Sequence, residues 1–315
     1  MKMKIMTHFC NCAVLALLSL AACTEIPGDK SKPEWKESAS GVWEISVGKP
    51  EKLNLLSELG LHPKWDAINA MPKADLPVDR DEIRFEEVDG KTYIRFPLDK
   101  GEKIFGLGLN FKTVEQRGRI LELHVDHYGG KDNGRTHAPV PFFVSSKGYG
   151  AFINSARYIK AYVGTGVRKD TKNPPEVQDR NTDPGWSAQP YSDNLEFLVP
   201  AEGVEVVLFA GQDMQDVVRR FNLFNGGGVL PPKWGLGFWH RVPTLFTDRQ
   251  VQDEIAEFRK RGFPLTVIGL EPGWMSRAYP CTYEWDATRF PEPGKFVNDL
   301  LQKHIRTNLW FNPGV

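Results

Sequence analysis

Pro231-Pro232-Lys233-Trp234-Gly235-Leu236-Gly237-Phe238 separates two kinds of sequence in a chain of 315 residues. Before it, from about residue 38 to residue 210, short β-rich runs follow one another with no amphipathic helix between them. After it, apolar runs alternate with stretches of helical periodicity. Neither proline donates a backbone hydrogen bond, so the pair ends any regular element that reaches it. Gly226-Gly227-Gly228, just upstream, reads as a hinge.

The N-terminal side predicts an antiparallel β-sandwich. Residues 41–47 (GVWEISV) alternate apolar and polar. Runs at 82–88 and 93–98 flank Asp89-Gly90, a strong two-residue hairpin signal. Further strand runs fall at 120–124, 140–145, 150–153, 159–163, 195–199 and 204–209. Residues 53–61 suit a turn or two of helix, and the polar, Pro-containing stretch 170–193 suits a long surface loop. Residues 215–224 predict a helix on which Arg219-Arg220 forms a solvated face.

The C-terminal side predicts strand–helix–strand–helix–strand: strands at 234–239, 265–270 and 307–311, helices at 247–261 and 293–303. Asp248 sits near the start of the first helix, Val251, Ile255 and Phe258 share one face, and Gly262 stands at its C-terminal stop. Parallel crossovers of this kind open an α/β barrel or a doubly wound sheet. Three strands leave open edges, with Ile268 and Leu309 expected at exposed apolar surface.

Composition narrows the function classes. Lys plus Arg equals Asp plus Glu, 40 against 40, so no net field draws the chain to nucleic acid. Residues 1–23 carry Lys2 and Lys4, then an apolar stretch too short for a permanent span, ending Leu20-Ala21-Ala22-Cys23. That ending resembles a bacterial lipobox with Cys23 as the lipidated residue; the alternative is an ordinary signal peptide with a chance cysteine. Residues 24–40 would then be a tether, 41–225 the sandwich, 226–232 a linker and 233–315 an incomplete barrel. The expected location is the bacterial cell envelope, lipid-anchored and facing the periplasm or the outside. Cys10 and Cys12 leave with the signal, and Cys281 alone remains, so the mature chain has no internal disulfide.

Several stretches together resemble glycoside hydrolase family 31, the family of α-glucosidases, α-xylosidases and α-galactosidases. They are Ile104-Phe105-Gly106-Leu107-Gly108, Pro141-Phe142-Phe143-Val144-Ser145 with Gly148-Tyr149-Gly150, the stretch 231–238, YEWDATRFP at 283–291 and LWFNP at 309–313. The resemblance covers roughly residues 85–315 and implies a galactose-mutarotase-like sandwich followed by the first three β/α units of a (β/α)8 barrel. A whole barrel takes about 250 residues, against 85 from Pro231 onward. The family's two catalytic Asp residues, on later strands, are therefore expected beyond Val315, and turnover is not expected from this chain alone.

Barrel enzymes build sites from the C-terminal ends of their strands. Here these carry Trp239-His240-Arg241, Glu271-Pro272-Gly273-Trp274 and Trp310-Phe311-Asn312. Sugars need carboxylates and cations for hydroxyls and aromatic faces for C–H surfaces. Glu271, Trp274, Trp310 and Arg241 are thus candidate substrate-binding residues. Glu271 has the alternative of capping the next turn, the tryptophans of packing in the core, and Arg241 of pairing with a rim carboxylate. Many family members carry Asp near Glu271, and that departure points to an α-galactoside or α-xyloside rather than an α-glucoside. The polar, Gly-rich loop 126–135 reads as exposed, and the resemblance implies that it reaches the barrel mouth with Asp132 or Asn133; a solvated loop is the alternative.

No cofactor or metal is expected. Gly106-x-Gly108 lacks a third glycine, and His124 and His127 fall on opposite faces of a strand. Expected partners are an oligosaccharide or glycoside and, through Cys23, a membrane; a non-catalytic carbohydrate-binding lipoprotein and a structural interaction protein are the competing classes. Labelling of growing cells with a radioactive fatty acid should mark the chain, and Cys23→Ala should abolish the mark; equal labelling of both removes the anchor.

Overall fold

The computed structural model describes residues 33–60, 62–110, 112–126, 134–165, 179–184, 186 and 191–312. Two compact units meet between Gly227 and Gly228. Among the described residues, no helix is long and apolar enough to cross a membrane.

The first unit runs β1 (Lys36–Ala39), β2 (Val42–Gly48), α1 (Leu55–Leu59), α2 (Trp65–Asn69), β3 (Arg84–Val88), β4 (Lys91–Pro97), β5 (Ile104–Gly106), β6 (Arg119–Leu123), β7 (Phe142–Ser145), β8 (Tyr149–Asn154), β9 (Ile159–Thr165), β10 (Tyr191–Val199), β11 (Gly203–Ala210) and α3 (Met214–Phe224). The strands form two antiparallel sheets, β1-β2-β11-β8-β7-β5 and β3-β4-β10-β9-β6. Asp89 and Gly90 both take positive φ, 51° and 69°, between the paired Val88 and Lys91. That geometry is the type I′ hairpin turn the dipeptide favours.

Alternation decides which side chain goes where. In β11, Val204, Val206 and Leu208 enter the core between the sheets with Ile94, Phe96 and Phe197. Val207 and Phe209, pointing the other way, pack under the helices with Ile68, Val217 and Phe224. The six-stranded sheet is thus buried on both faces, and β8 (YGAFIN) is buried at every position. Apolar burial stabilises by roughly 25 cal/mol per Å², so a sheet covered on both faces gains from both.

Arg220 corrects the expectation of a solvated face: it is fully buried. Its Nε donates to Ser40 O at 3.1 Å, Nη1 to Ala210 O at 2.8 Å and Nη2 to Pro72 O. The fork ties α3 to the β1–β2 turn, the end of β11 and the segment after α2. Only Arg219 stays out, 3.1 Å from Asp216.

The second unit runs β12 (Phe238–Arg241), α4 (Asp248–Lys260), β13 (Leu265–Leu270), α5 (Pro293–Gln302) and β14 (Arg306–Leu309), in one parallel sheet of order β12-β13-β14. Thr247 caps α4 in a capping box: its hydroxyl accepts from Gln250 N, and Gln250 Oε1 accepts from Thr247 N. Val251, Ile255, Phe296 and Leu300 from the two helices bury against Ile268 and Leu270.

Several boundaries move. Residues 233–236 form a 3-10 turn, with Gly235 N bonded to Pro232 O and Gly237 N to Trp234 O, so β12 starts at Phe238 rather than at residue 234. The expected loop 170–193 ends in β10, whose Tyr191 pairs with Thr165; residues 170–178 lie outside the described residues. Residues 80–82 are a separate 3-10 turn before β3. β6 stops at Leu123, so His124 is not on a strand, and His127 lies outside the described residues. Ile268 is fully buried, and the exposed apolar side chains of the second unit include Leu230, Leu236 and Leu245 instead.

Replacing Arg220 by Met removes the donor from three carbonyls, of which Ala210 O is buried, and leaves the helix without its tie to three other segments. Urea unfolding should show a loss of at least about 3 kcal/mol; a loss below about 1 kcal/mol contradicts the tie.

Candidate functional site at the strand ends

The parallel register brings the strand ends level. Arg241 pairs with Gly269, and Gly269 with Asn308. The ladder continues one step past the strands: Val242 N donates to Gly269 O and Trp310 N to Leu270 O, each at 3.0 Å. Paired residues point to the same face, and so do residues two apart. Ile268 and Leu270 face the helices. Arg241, Gly269 and Asn308 therefore project from the helix-free face, and Glu271 and Trp310 follow on that side.

Glu271 lies at the C-terminal end of β13 with its side chain 18% exposed. It precedes the 3-10 turn Pro272–Trp274 but makes no side-chain capping bond, so the capping alternative fails. Arg241 Nε stands 3.3 Å from Glu271 Oε1, close enough for an ion pair but not aligned as a hydrogen bond. Oε1 is buried and has no hydrogen-bond partner. Arg241 is itself 75% exposed, so this pair alone stabilises the fold little. The result is a buried carboxylate oxygen with unused accepting capacity beside an exposed guanidinium.

The tryptophans divide in role. Trp274 is 5% exposed, and its indole packs against Trp285 with centroids 5.0 Å apart. Its Nε1 donates to Trp310 O at 2.7 Å. Trp274 is thus a strut between the ends of β13 and β14 and offers no open face to a sugar. Trp310 is half-buried, with Tyr279 at 6.0 Å edge-on. Asp132 and Asn133 lie outside the described residues, as does Cys23. The two ends of their loop are not exposed: Asp126 is 7% exposed and pairs with Arg135 at 3.0 Å. Cys281 is half-buried, its thiol donating to Ala278 O and accepting from Asn312 N.

Asp286 and Arg289 carry a role that sequence reasoning did not assign. Arg289 Nε donates to Gly273 O at 2.8 Å and Nη2 to Met275 O at 3.1 Å. Asp286 pairs with Arg289 at 2.9 Å and accepts from the Thr288 hydroxyl, while its own N–H donates to Trp274 O. The Thr288 hydroxyl, with the backbone N–H of Arg289, holds the Asp286 carboxyl below its ordinary pKa. Together these bonds fix the turn that follows Glu271. A Cβ on Gly273 would lie 1.9 Å from Thr244 O, so the turn also depends on glycine there. The stretch 283–291 was the available signal, but it was read only as a resemblance.

Among the described residues, no group of three or more His, Cys, Asp or Glu side chains is placed to hold a metal.

With this geometry in place, comparison with known proteins defines the class. The model of the glycosyl hydrolase family 31 N-terminal galactose mutarotase-like domain matches residues 29–160. The model of the family 31 TIM-barrel domain matches residues 228–315. The chain belongs to glycoside hydrolase family 31. It is 25% identical to an α-xylosidase of Emericella nidulans over 73% of this chain and 27% of that one. It is also 25% identical to an α-xylosidase of Lactiplantibacillus pentosus over 70% of this chain and 26% of that one. The chain thus spans about a quarter of the length of these relatives. A family 31 dextranase of Flavobacterium johnsoniae complexed with isomaltotriose shares the fold, with TM-score 0.65 and 20% identity over 91% of this chain and 36% of that one.

The Asp286 carboxyl has its pKa depressed by folding, so its stabilisation is complete above the unfolded value near 4 and is lost as pH falls through the lower folded value. Asp286→Asn should therefore lower the melting temperature at pH 7. The gap to the parent should narrow below about pH 4; a gap independent of pH contradicts the assignment.

Proposed function

We propose that the strand ends of the second unit form part of the sugar-binding rim of an α-glycoside hydrolase, acting on an α-xyloside or α-galactoside. The observation that carries this reading is Glu271 Oε1, a buried carboxylate oxygen with no hydrogen-bond partner at the C-terminal end of a parallel strand. Leaving such an atom without a hydrogen bond costs roughly 1–3 kcal/mol, which the exposed Arg241 beside it offsets only in part. A sugar hydroxyl donating to it recovers that cost. Arg241, beside it and exposed, donates to a ring or hydroxyl oxygen, and Trp310 offers an apolar edge for C–H groups.

Family membership supports the reaction class, and two α-xylosidases among the relatives support the xyloside branch. A retaining mechanism uses two carboxyl groups about 5–5.5 Å apart, one a nucleophile and one an acid/base. Among the described residues, Glu271 is the carboxylate of this rim. Its role is to bind and orient, and cleavage of the glycosidic bond is assigned to other residues of the family enzyme. The lipobox-like ending at Cys23 supports a membrane tether that keeps the protein at the cell envelope.

Calorimetry with xylose and galactose tests the rim. Glu271→Gln keeps the shape and removes the charge; it should weaken binding about tenfold, or about 1.4 kcal/mol. The chain assayed alone should not hydrolyse an aryl α-xyloside. Binding unchanged in both Glu271→Gln and Arg241→Ala, or turnover that survives Glu271→Gln, overturns the assignment.

A further inference from the structure

We propose that the sandwich carries a second sugar-contact site, built on Tyr158, Arg157 and Glu51, that holds one ring of an α-linked oligosaccharide. The proposal deepens the glycosidase reading above and uses residues of the first unit alone.

Tyr158 is 67% exposed, yet it is not loose. Its ring stacks on His124 with centroids 4.0 Å apart and planes 30° from parallel. His124 covers one face, so the exposed area belongs to the other face and to the hydroxyl edge. A fixed, flat, solvent-facing aromatic ring loses little entropy when a ligand lands on it.

The neighbouring residue supplies the polar half. Arg157 Nε lies 2.9 and 3.1 Å from the two Glu51 oxygens, and Nη2 lies 2.5 Å from Oε1. The fork pins a long side chain that would otherwise sweep through solvent. Its holding bonds run through Nε and Nη2, which leaves Nη1 to donate to a ligand. Arg157 and Glu51 together carry no net charge. Such a pair suits a neutral ligand with several hydroxyl groups better than a phosphate or a cation.

Tyr158 and Arg157 both line a depression of about 160 Å³ whose apolar lining includes Leu55, Pro139 and the buried Ile159. Pockets that enclose drug-sized ligands run to about 300–1,000 Å³. The smaller volume limits the occupant to one ring, with the rest of the chain outside. An apolar lining, an aromatic wall and a neutral polar fork are the three surfaces a pyranose ring presents complements to.

Calorimetry with isomaltotriose and maltotriose tests this site on the full chain carrying Glu271→Gln, which weakens the contribution of the strand ends about tenfold. In that background Tyr158→Ala should weaken binding at least tenfold, and Tyr158→Phe should stay within threefold. Tyr158 is exposed, so circular dichroism should show both variants folded. Affinity unchanged by Tyr158→Ala, or no binding in the Glu271→Gln background, overturns the sandwich site. The two assignments fail separately: xylose and galactose titrations unchanged by both Glu271→Gln and Arg241→Ala overturn the strand-end assignment alone.

Discussion

Arg289 reaches back to the turn after β13 and donates to Gly273 O and Met275 O. The turn they brace is what places Glu271. A 3-10 turn of three residues has almost no stability of its own. Held between Arg289 on one side and the close approach of Thr244 O to Gly273 on the other, it becomes a fixed corner. Trp274 then extends the brace to the next strand through its bond to Trp310 O. Charge-assisted bonds from one guanidinium therefore set the geometry of a rim whose own polar groups are left partly unpaired. That division is expected of a binding site: the supporting shell satisfies its bonds within the fold, and the contact groups do not.

The parallel sheet supplies the other half of the constraint. Its register brings Arg241, Gly269 and Asn308 into one row. Gly269 has no side chain to stand between Arg241 and Glu271. The helices cover the opposite face and take Ile268 and Leu270 into their core. Arg241, Glu271 and Asn308 thus gather on the helix-free side, at the ends of the strands; barrel enzymes in general build their sites at that end.

Alternation made much of the sandwich legible in the sequence. β2, β4 and β9 show it, β11 showed instead as a continuous apolar run, and Asp89-Gly90 marked its hairpin. β13 fell at residues 265–270 because its apolar run is bounded by Pro264 on one side and Glu271-Pro272 on the other. The short elements β1, β5 and α2 were not found. Three to five residues hold too few periods to separate from coil. Residues 233–236 misled for the opposite reason: apolar content suggested a strand, but the preceding proline carbonyl closes a turn there. Arg220 and Arg289 were unreadable for a shared cause. Apart from Asp286 beside Arg289, their partners are backbone carbonyls, which leave no mark in the side-chain pattern. Trp274 was named as a subsite because tryptophan serves sugars and cores alike; only its burial decides. The places of Glu271 and Arg241 at the strand ends were legible because strand ends follow from strand positions.

The most direct measurement is the amide and indole NMR spectrum of the chain during titration with xylose. Shifts should saturate at the Val242 and Trp310 amides and at the Trp274 indole N–H, all bonded within the strand-end corner. Shifts that saturate elsewhere while these three stay still would contradict the claim that the rim around Glu271 holds the sugar.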